Sequence, residues 1–248
     1  MKQEYQISGF LVKEYEELES TNTEAGRIGL SELKDKTVVL TYRQTQGRGQ
    51  VGNHWESEPG KNISMTVVLK PHALPAGEQF AVSMVIALGG YDFVSRYTEN
   101  CTVKWPNDIY VEDRKIAGIL IEHAIMGQQV GGSLCGIGVN INQKDFLSDA
   151  PNPVSLLQLT GKEIPVQQAL EELLACIGKR YESIHDYEEL KRDFLNVLYR
   201  RKGMHHWEDE RGVFKASIQG VNEYGQLILK DDSENERVYG FKEIAYKF

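Results

Sequence analysis

The fold is decided by residues 102–141, which read TVKWPNDIYVEDRKIAGILIEHAIMGQQVGGSLCGIGVNI. Three runs rich in β-branched and other apolar residues lie in this stretch, at 102–111, 116–125 and 133–141. Two segments with the composition of turns, 112–115 and 127–132, separate the runs. Short turns join antiparallel strands, so the stretch predicts successive hairpins in an antiparallel or mixed sheet.

Strands and helices are predicted on both sides of this core stretch. Upstream, β-branched residues predict strands at 37–43 and 63–69. Apolar residues then recur at helical steps from Ala76 onward, and a second such pattern opens at Pro165, which we place in the first turn of a long helix followed by a third. The apolar positions of the three helices are Phe80, Met84, Ala87, Tyr91 and Val94; Val166, Leu170, Leu173, Ile177, Tyr181 and Ile184; and Leu190, Phe194 and Val197. The fold class is therefore α+β, a mixed or antiparallel sheet packed with helices.

The period of the sequence changes after Gly203. Short strand-like runs at 213–219, 226–230 and 236–240 are separated by turn residues, a spacing typical of a small β-barrel. We therefore expect two domains, a larger one at 1–203 and a C-terminal barrel at 204–248.

Composition limits the classes of function. The 248 residues carry 28 Lys plus Arg and 36 Asp plus Glu, so the net charge is −8, which argues against a general nucleic-acid binder. No apolar run approaches the ~20 residues that span a bilayer, and the N-terminus lacks the apolar core of a signal peptide. The three cysteines are an odd number and widely spaced, which predicts reduced side chains, a cytoplasmic protein and no protein-only metal site.

A glycine-rich loop, GRGQVG at 47–52, matches the dinucleotide-binding pattern literally. An oxidoreductase with that motif needs a helix after the third glycine, but residues 53–62, NHWESEPGKN, have turn composition. A protein kinase is also disfavoured, since its strand lysine and catalytic-loop motifs are absent. What remains is a loop whose backbone N–H groups and Arg48 suit an anion, preceded by Gln44.

Three further segments could carry chemistry. Lys104 ends a strand and is followed by Trp105-Pro106-Asn107-Asp108, which favours a rigid turn. Thr21 with Glu24 predicts a capping box that starts a helix beside Ser20. Glycines within the strands at 115–120 and 136–142 suit either a pocket floor or a bulge.

Together these motifs resemble those of biotin protein ligases, of the monofunctional type without an N-terminal DNA-binding domain. The likeness is carried, in order, by Ser20-Thr21-Asn22, Gln44 with the 47–52 loop and Trp55, Lys104 to Asp108, 115–120 and 136–142. It implies a catalytic domain similar to class II synthetases and a C-terminal barrel similar to SH3 domains.

The resemblance also implies the activity. Such a ligase makes biotinyl-5′-AMP from biotin and ATP with Mg²⁺, then transfers biotin to a lysine of the biotin carboxyl carrier domain of a carboxylase. Carried over by motif, the residues that bind biotin or its adenylate are Ser20, Thr21, Asn22, Gln44, Gly47, Arg48, Gly49, Gln50, Lys104 and Gly118. Lys104 and Arg48 would be catalytic, and Trp55, Lys115 and Asn140 would lie near the nucleotide.

Two departures and two alternatives qualify this resemblance. Many family members have arginine where this loop has Gln50, so one potential phosphate contact is missing. The first motif begins at Ser20, and we therefore expect no sequence-specific DNA binding. A homodimer is left open. A lipoate ligase would share the fold and the chemistry, but its Arg-Arg-x-Ser-Gly-Gly-Gly type of loop is absent. A non-catalytic sensor of biotin or nucleotide is the alternative from another class.

Overall fold

The structure, a computed structural model, describes residues 1–50, 52–148 and 152–247. Val51 of the glycine-rich loop therefore lies outside the described residues. Within those ranges a larger sheet contains eight strands, β1 (Gln3–Ile7), β2 (Phe10–Tyr15), β3 (Thr37–Thr41), β4 (Ile63–Leu69), β5 (Cys101–Lys104), β6 (Asp108–Val111), β7 (Arg114–Met126) and β8 (Gln129–Val139). A smaller sheet contains β9 (His205–Asp209), β10 (Gly212–Val221), β11 (Leu227–Asp231), β12 (Glu236–Tyr239) and β13 (Ala245–Tyr246).

The larger sheet is mixed. Its strand order is β1-β2-β3-β4-β8-β7-β6-β5, in which β2 and β3 run parallel and the other neighbours run antiparallel. The long hairpin of β7 and β8 lies against β4, so strands about 70 residues apart in the sequence, β4 and β8, pair in the middle of the sheet. The mixed sheet packed with helices is confirmed.

Five α-helices are present among the described residues, α1 (Thr21–Ile28), α2 (Phe80–Val94), α3 (Leu156–Thr160), α4 (Val166–Glu182) and α5 (Tyr187–Asn196). One face of the sheet is covered by α2, which packs against α4 and α5 and is buried nearly all round. The opposite face carries α1, which contacts β3, β4 and β8. Because helices cover both faces of the central strands, β3 and β4 are buried along their whole length. None of the described helices combines the length and apolar character that crossing a bilayer requires.

Three sequence-based boundaries are wrong. The run at 102–111 forms two strands, because Pro106 has no N–H for a ladder and Lys104 pairs with Asp108 across a turn. Pro165 precedes α4 as its N-cap and is not in its first turn, and α4 ends before Ile184. The edge strand β1 and its neighbour β2 had no prediction at all. β1 is polar, and in β2 the buried positions Phe10 and Val12 are followed by a buried Glu14, which interrupts the apolar alternation.

The smaller sheet packs against the larger part through specific contacts. Trp105 Nε1 donates to the carbonyl of Gly225 at 2.9 Å, and Arg201 Nη1 donates to the carbonyl of Ile218 at 2.6 Å. Gly225 lies against the ring of Phe80, where a Cβ would come within 2.3 Å of a ring carbon. One apolar core continues through both parts. We propose 1–203 and 204–248 as the two domains, joined by this core.

Candidate functional site

Three glycines of the β7–β8 hairpin form the floor of a cavity on the α1 side of the sheet. A Cβ at Gly138 would lie 2.2 Å from Trp55 Cε2, and one at Gly118 would lie 3.0 Å from Trp55 Cζ3. A Cβ at Gly136 would lie 2.2 Å from Asn22 Oδ1. The strand glycines therefore exist for close approach, since Trp55 and Asn22 rest directly on the backbone. Of the two explanations left open by the sequence, the pocket floor is correct for these glycines.

The wall of this first cavity beside α1 is polar. The backbone N–H of Thr21 donates to Gln44 Oε1 at 2.9 Å. The Thr66 hydroxyl donates to Asn22 Oδ1 at 2.6 Å and lies 2.9 Å from the Thr21 hydroxyl, while Asn22 Nδ2 donates to the carbonyl of Leu120 at 3.3 Å. Side chains of α1 and β4 are thus hydrogen-bonded to each other and to the backbone of β7, and they present fixed donors and acceptors. The first cavity has a volume of about 110 Å³.

The predicted capping box at the start of α1 is wrong. Ser20 is the N-cap, because its Oγ accepts the backbone N–H of Thr23 at 3.5 Å. Thr21 is engaged with Gln44 and Thr66, and Glu24 forms an ion pair with Arg27 at 2.8 Å. The helix start still brings Ser20 and Thr21 to the cavity wall.

The glycine-rich loop closes one side of the first cavity. Arg48 pairs with His54 as an antiparallel bridge, and Trp55 N donates to the carbonyl of Gly47 at 2.9 Å. Arg48 Nη2 lies 3.0 Å from Glu122 Oε1, and both side chains are about half exposed, at 48% and 41%. Gly47 is buried behind the loop, so it supports the wall without lining the cavity. In this state Arg48 is held by a carboxylate that a ligand anion could replace.

A second cavity of about 530 Å³ adjoins the first. The two share Trp55, Asp108 and Lys115 among their lining residues, and the second adds Lys104 and Asn140. Other described residues that line only the second cavity include Gly52, Glu56, Tyr110, Phe146, Ser148 and Pro153. The two cavities together therefore form an elongated site.

Cations concentrate in the second cavity. Lys104 Nζ donates to the Tyr110 hydroxyl at 3.0 Å, and Lys115 Nζ lies 2.7 Å from Asp108 Oδ1. Burial lowers the pKa of the Lys104 ammonium; nearby Asp108 opposes this shift, and the positive charges of Lys115 and Arg200 reinforce it. A half-buried ammonium among other cations is poised to accept an anionic partner, which would relieve both desolvation and repulsion.

An unpaired acceptor and an unpaired donor belong to residues that line the second cavity. Among the described residues, Asn140 Oδ1 and Trp55 Nε1 are buried without a hydrogen-bond partner, although Asn140 Nδ2 donates to the carbonyl of Val154 at 3.1 Å. Buried polar atoms of this kind cost stability unless something satisfies them, which favours ligand contacts here.

The structure brings the sequence-predicted residues together in two groups. Ser20, Thr21, Asn22, Gln44, Arg48, Gly49, Gln50, Trp55, Lys115 and Gly118 line the first cavity, whereas Trp55, Lys104, Lys115 and Asn140 line the second. Arg48 and Lys104 thus line different cavities. Sequence reasoning missed Ser64, Thr66 and Glu122. Ser64 and Thr66 pair with Gly138 and Gly136 on the neighbouring strand, and Glu122 lies an even number of positions from Gly118 on β7, so the two-residue repeat of strands was a usable signal. Within the described ranges no group of three or more His, Cys, Asp or Glu side chains could hold a metal ion.

Comparison with known proteins identifies the family. The sequence model of the "Biotin/lipoate A/B protein ligase family" matches residues 15–140, about half of the chain. The chain belongs to this family. It is 32% identical over 231 residues to the "Biotin--[acetyl-CoA-carboxylase] ligase" of Paracoccus denitrificans, covering 86% of this chain and 91% of that protein. It is 26% identical over 231 residues to the "Bifunctional ligase/repressor BirA" of Bacillus subtilis, covering 90% of this chain and 70% of that protein.

Solved structures of family members share the fold. The biotin protein ligase of Aquifex aeolicus in complex with biotin and ATP superposes with a TM-score of 0.77 at 22% identity, over 95% of this chain and 98% of that one. The Leishmania major ligase in complex with biotinyl-5-AMP gives a TM-score of 0.64 at 19% identity, over 92% and 98%. The predicted fold class, including the small C-terminal β-barrel similar to SH3 domains, is confirmed.

Proposed function

We propose that this protein is an ATP-dependent biotin protein ligase that forms biotinyl-5′-AMP and transfers biotin to a lysine of a biotin carboxyl carrier domain. The observation that carries the proposal is the pair of adjoining cavities, one with a polar wall and one lined by the half-buried cations Lys104 and Lys115. An acyl-adenylate has the same division, with a neutral acyl part at one end and an anionic nucleotide at the other. Family membership supports the same chemistry.

The first cavity suits the ureido end of biotin. A ureido group has two N–H donors and one carbonyl acceptor, so it needs both kinds of partner at fixed positions. Ser20, Thr21, Asn22 and Gln44 supply hydroxyl and amide groups at the cavity wall. The valeryl chain would then run beside Trp55, which packs on the backbone of Gly118 and Gly138 and lines both cavities.

In the first step the biotin carboxylate attacks the α-phosphorus of ATP, a new O–P bond forms and pyrophosphate leaves. Two anions must approach each other, so the step requires fixed cations. Lys104 supplies one beside the phosphate, and Arg48 supplies another after exchanging Glu122 for the ligand. Gln50 offers hydrogen bonds but no charge, which leaves more of the retention of the adenylate to Arg48.

The nucleotide would occupy the second cavity. Trp55 offers a ring face, Asn140 Oδ1 offers an unpaired acceptor and Lys115 offers a further cation. Magnesium would arrive with ATP, and its phosphates would supply most of its ligands, since Mg²⁺ is commonly held by substrate phosphates and one or two carboxylates. Asp108 is the carboxylate that lines both cavities.

In the second step the amine of the carrier lysine attacks the acyl carbonyl, an amide bond forms and AMP leaves. The amine must lose a proton, and no side chain is assigned as its base. The partner is the biotin carboxyl carrier domain of a biotin-dependent carboxylase, as the printed name of the Paracoccus relative suggests. The protein would act in the cytoplasm.

The test is biotin-dependent exchange of radiolabelled pyrophosphate into ATP, which reports the first step without the carrier. We expect exchange with biotin and none with lipoate. Exchange with lipoate alone would indicate a lipoate ligase, and biotin binding without any exchange would indicate a sensor. Lys104→Ala should keep the fold and lower the exchange rate about 10²- to 10³-fold, as for loss of an electrostatic donor.

A further inference from the structure

The side chain of Lys104 contacts an aromatic residue from the smaller sheet. Lys104 Nζ lies 5.0 Å from the centroid of the Tyr246 ring and 4.6 Å from that of Tyr110. Tyr110 belongs to β6 beside the lysine, whereas Tyr246 belongs to β13, the last strand of the smaller sheet. The candidate catalytic lysine is therefore in contact with both parts of the molecule.

The Tyr246 ring is held in a fixed position. Its centroid lies 4.4 Å from that of Trp207, which is fully buried, and 5.7 Å from that of Tyr199. The backbone of β13 pairs with β9, and Arg200 Nη1 donates to the carbonyl of Lys247 at 2.5 Å. These contacts make Tyr246 a rigid surface against which a flexible lysine can rest.

We propose that Tyr246 is a positioning residue for adenylate formation: its ring holds the Lys104 ammonium where it can address the phosphate, so the smaller sheet takes part in the first step. This inference rests on the proposed function. Fixing a lysine side chain lowers its rotational entropy. Contacts that already hold the side chain before the ligand binds reduce the entropy lost during the reaction. An aromatic face attracts the ammonium through the negative charge density above the ring and does not neutralise its charge.

A carboxylate in the same place would act differently. Asp108 pairs with Lys115 at 2.7 Å, and such a pair must be broken before the cation can serve an anionic ligand. The Tyr246 ring carries no formal charge, so its contact with Lys104 does not compete with an anionic ligand for the charge of the ammonium.

The test compares Tyr246→Phe with Tyr246→Leu in biotin-dependent pyrophosphate exchange. Tyr246→Phe keeps the ring, so its kcat should stay within about twofold of wild type, whereas Tyr246→Leu should lose roughly 5- to 30-fold in kcat, the range expected for a partly desolvated cation–π contact. The KM for biotin should not change, because Lys104 lies outside the residues that line the first cavity. In a Lys104→Met background, Tyr246→Leu should have no further effect.

A pH profile provides a readout that a purely structural role would not move. The ring stabilises the charged ammonium, while Asp108, Lys115 and Arg200 stay in place in both variants. The alkaline limb of the exchange rate should therefore shift to lower pH in Tyr246→Leu and stay in place in Tyr246→Phe.

The matched control is Tyr239→Leu. Tyr239 lies in the same small sheet, is 8% exposed and bonds to Asp209 at 2.7 Å. The substitution removes a similar ring from that sheet, and we expect its kcat to stay near wild type. An equal loss in Tyr239→Leu and Tyr246→Leu, or a Tyr246→Leu loss that persists in the Lys104→Met background, would overturn the inference. If wild type shows exchange and Tyr246→Leu keeps the same rate, only this inference is overturned. If wild type shows no exchange, the proposed function is overturned and this inference with it.

Discussion

Gly138→Ala is the substitution for which the structure makes the sharpest prediction. The added Cβ would lie 2.2 Å from Trp55 Cε2 and 2.3 Å from Trp55 Nε1. Carbon atoms in contact prefer about 3.5–4.0 Å, so the indole ring must move by more than about 1 Å. Overpacking of this kind costs about 1–3 kcal/mol of folding stability.

The same displacement should be costly for catalysis. Trp55 lines both cavities, and a misplacement of about 1 Å at a reacting site can lower the rate about 10²-fold. We therefore expect Gly138→Ala to fold, to unfold at a lower temperature and to lose about 10²-fold in kcat/KM for biotin-dependent pyrophosphate exchange. Thermal unfolding and the exchange assay measure the two effects separately.

The matched control is Gly26→Ala on α1. A Cβ there would lie 3.9 Å from Leu134 Cδ1, an ordinary contact, and alanine stabilises a helix interior by up to about 1 kcal/mol relative to glycine. Its exchange rate should match that of wild type. If Gly138→Ala also kept the wild-type rate with an unchanged indole fluorescence spectrum, the cavity floor would not need glycine and the argument would fail.

Further expected outcomes concern charge and access. Burial lowers the pKa of Lys104, so keeping this side chain charged at neutral pH lowers the free energy of unfolding, and the penalty fades as the pH rises through the lowered pKa. Lys104→Met should therefore melt at the same or a higher temperature than wild type at pH 7, with a smaller difference at alkaline pH. A lower melting temperature at pH 7 would contradict this. Glu122→Gln should release Arg48 and lower the KM for biotin by no more than about fivefold, since the half-exposed Arg48–Glu122 ion pair is worth about 1 kcal/mol or less. A raised KM would count against the proposal that Arg48 exchanges Glu122 for the ligand. Proteolysis within 47–52 should slow when biotin and ATP are added, and equal cleavage rates would argue against closure. With a net charge of −8, gel shifts with biotin-gene upstream DNA should show only weak binding that salt abolishes, and saturable nanomolar binding would refute this.

Much of the local structure follows from the sequence because its causes are local. The strand at Ile63–Leu69 is a short run with β-branched residues, whereas the apolar run that forms the helix Phe80–Val94 is longer than most strands, so length and composition indicate the kind of element. The order of the motifs also identifies the family, since five motifs in one sequence are far more specific than any one of them. Propensity alone favours one strand at 102–111, but the turn predicted after Lys104 is the signal that agrees with the pairing of β5 and β6.

Tertiary structure alone decided which side chains meet. Strand alternation shows that Thr66 and Gly136 each face one side of a strand, but only the pairing of β4 with β8 makes those sides the same and brings Asn22 onto them. Likewise, nothing near Lys104 in the sequence points to Tyr246, because the docking of the smaller sheet joins residues separated by more than half the chain. Such contacts arise from burial of a common apolar core, a property of the whole fold that no local pattern encodes.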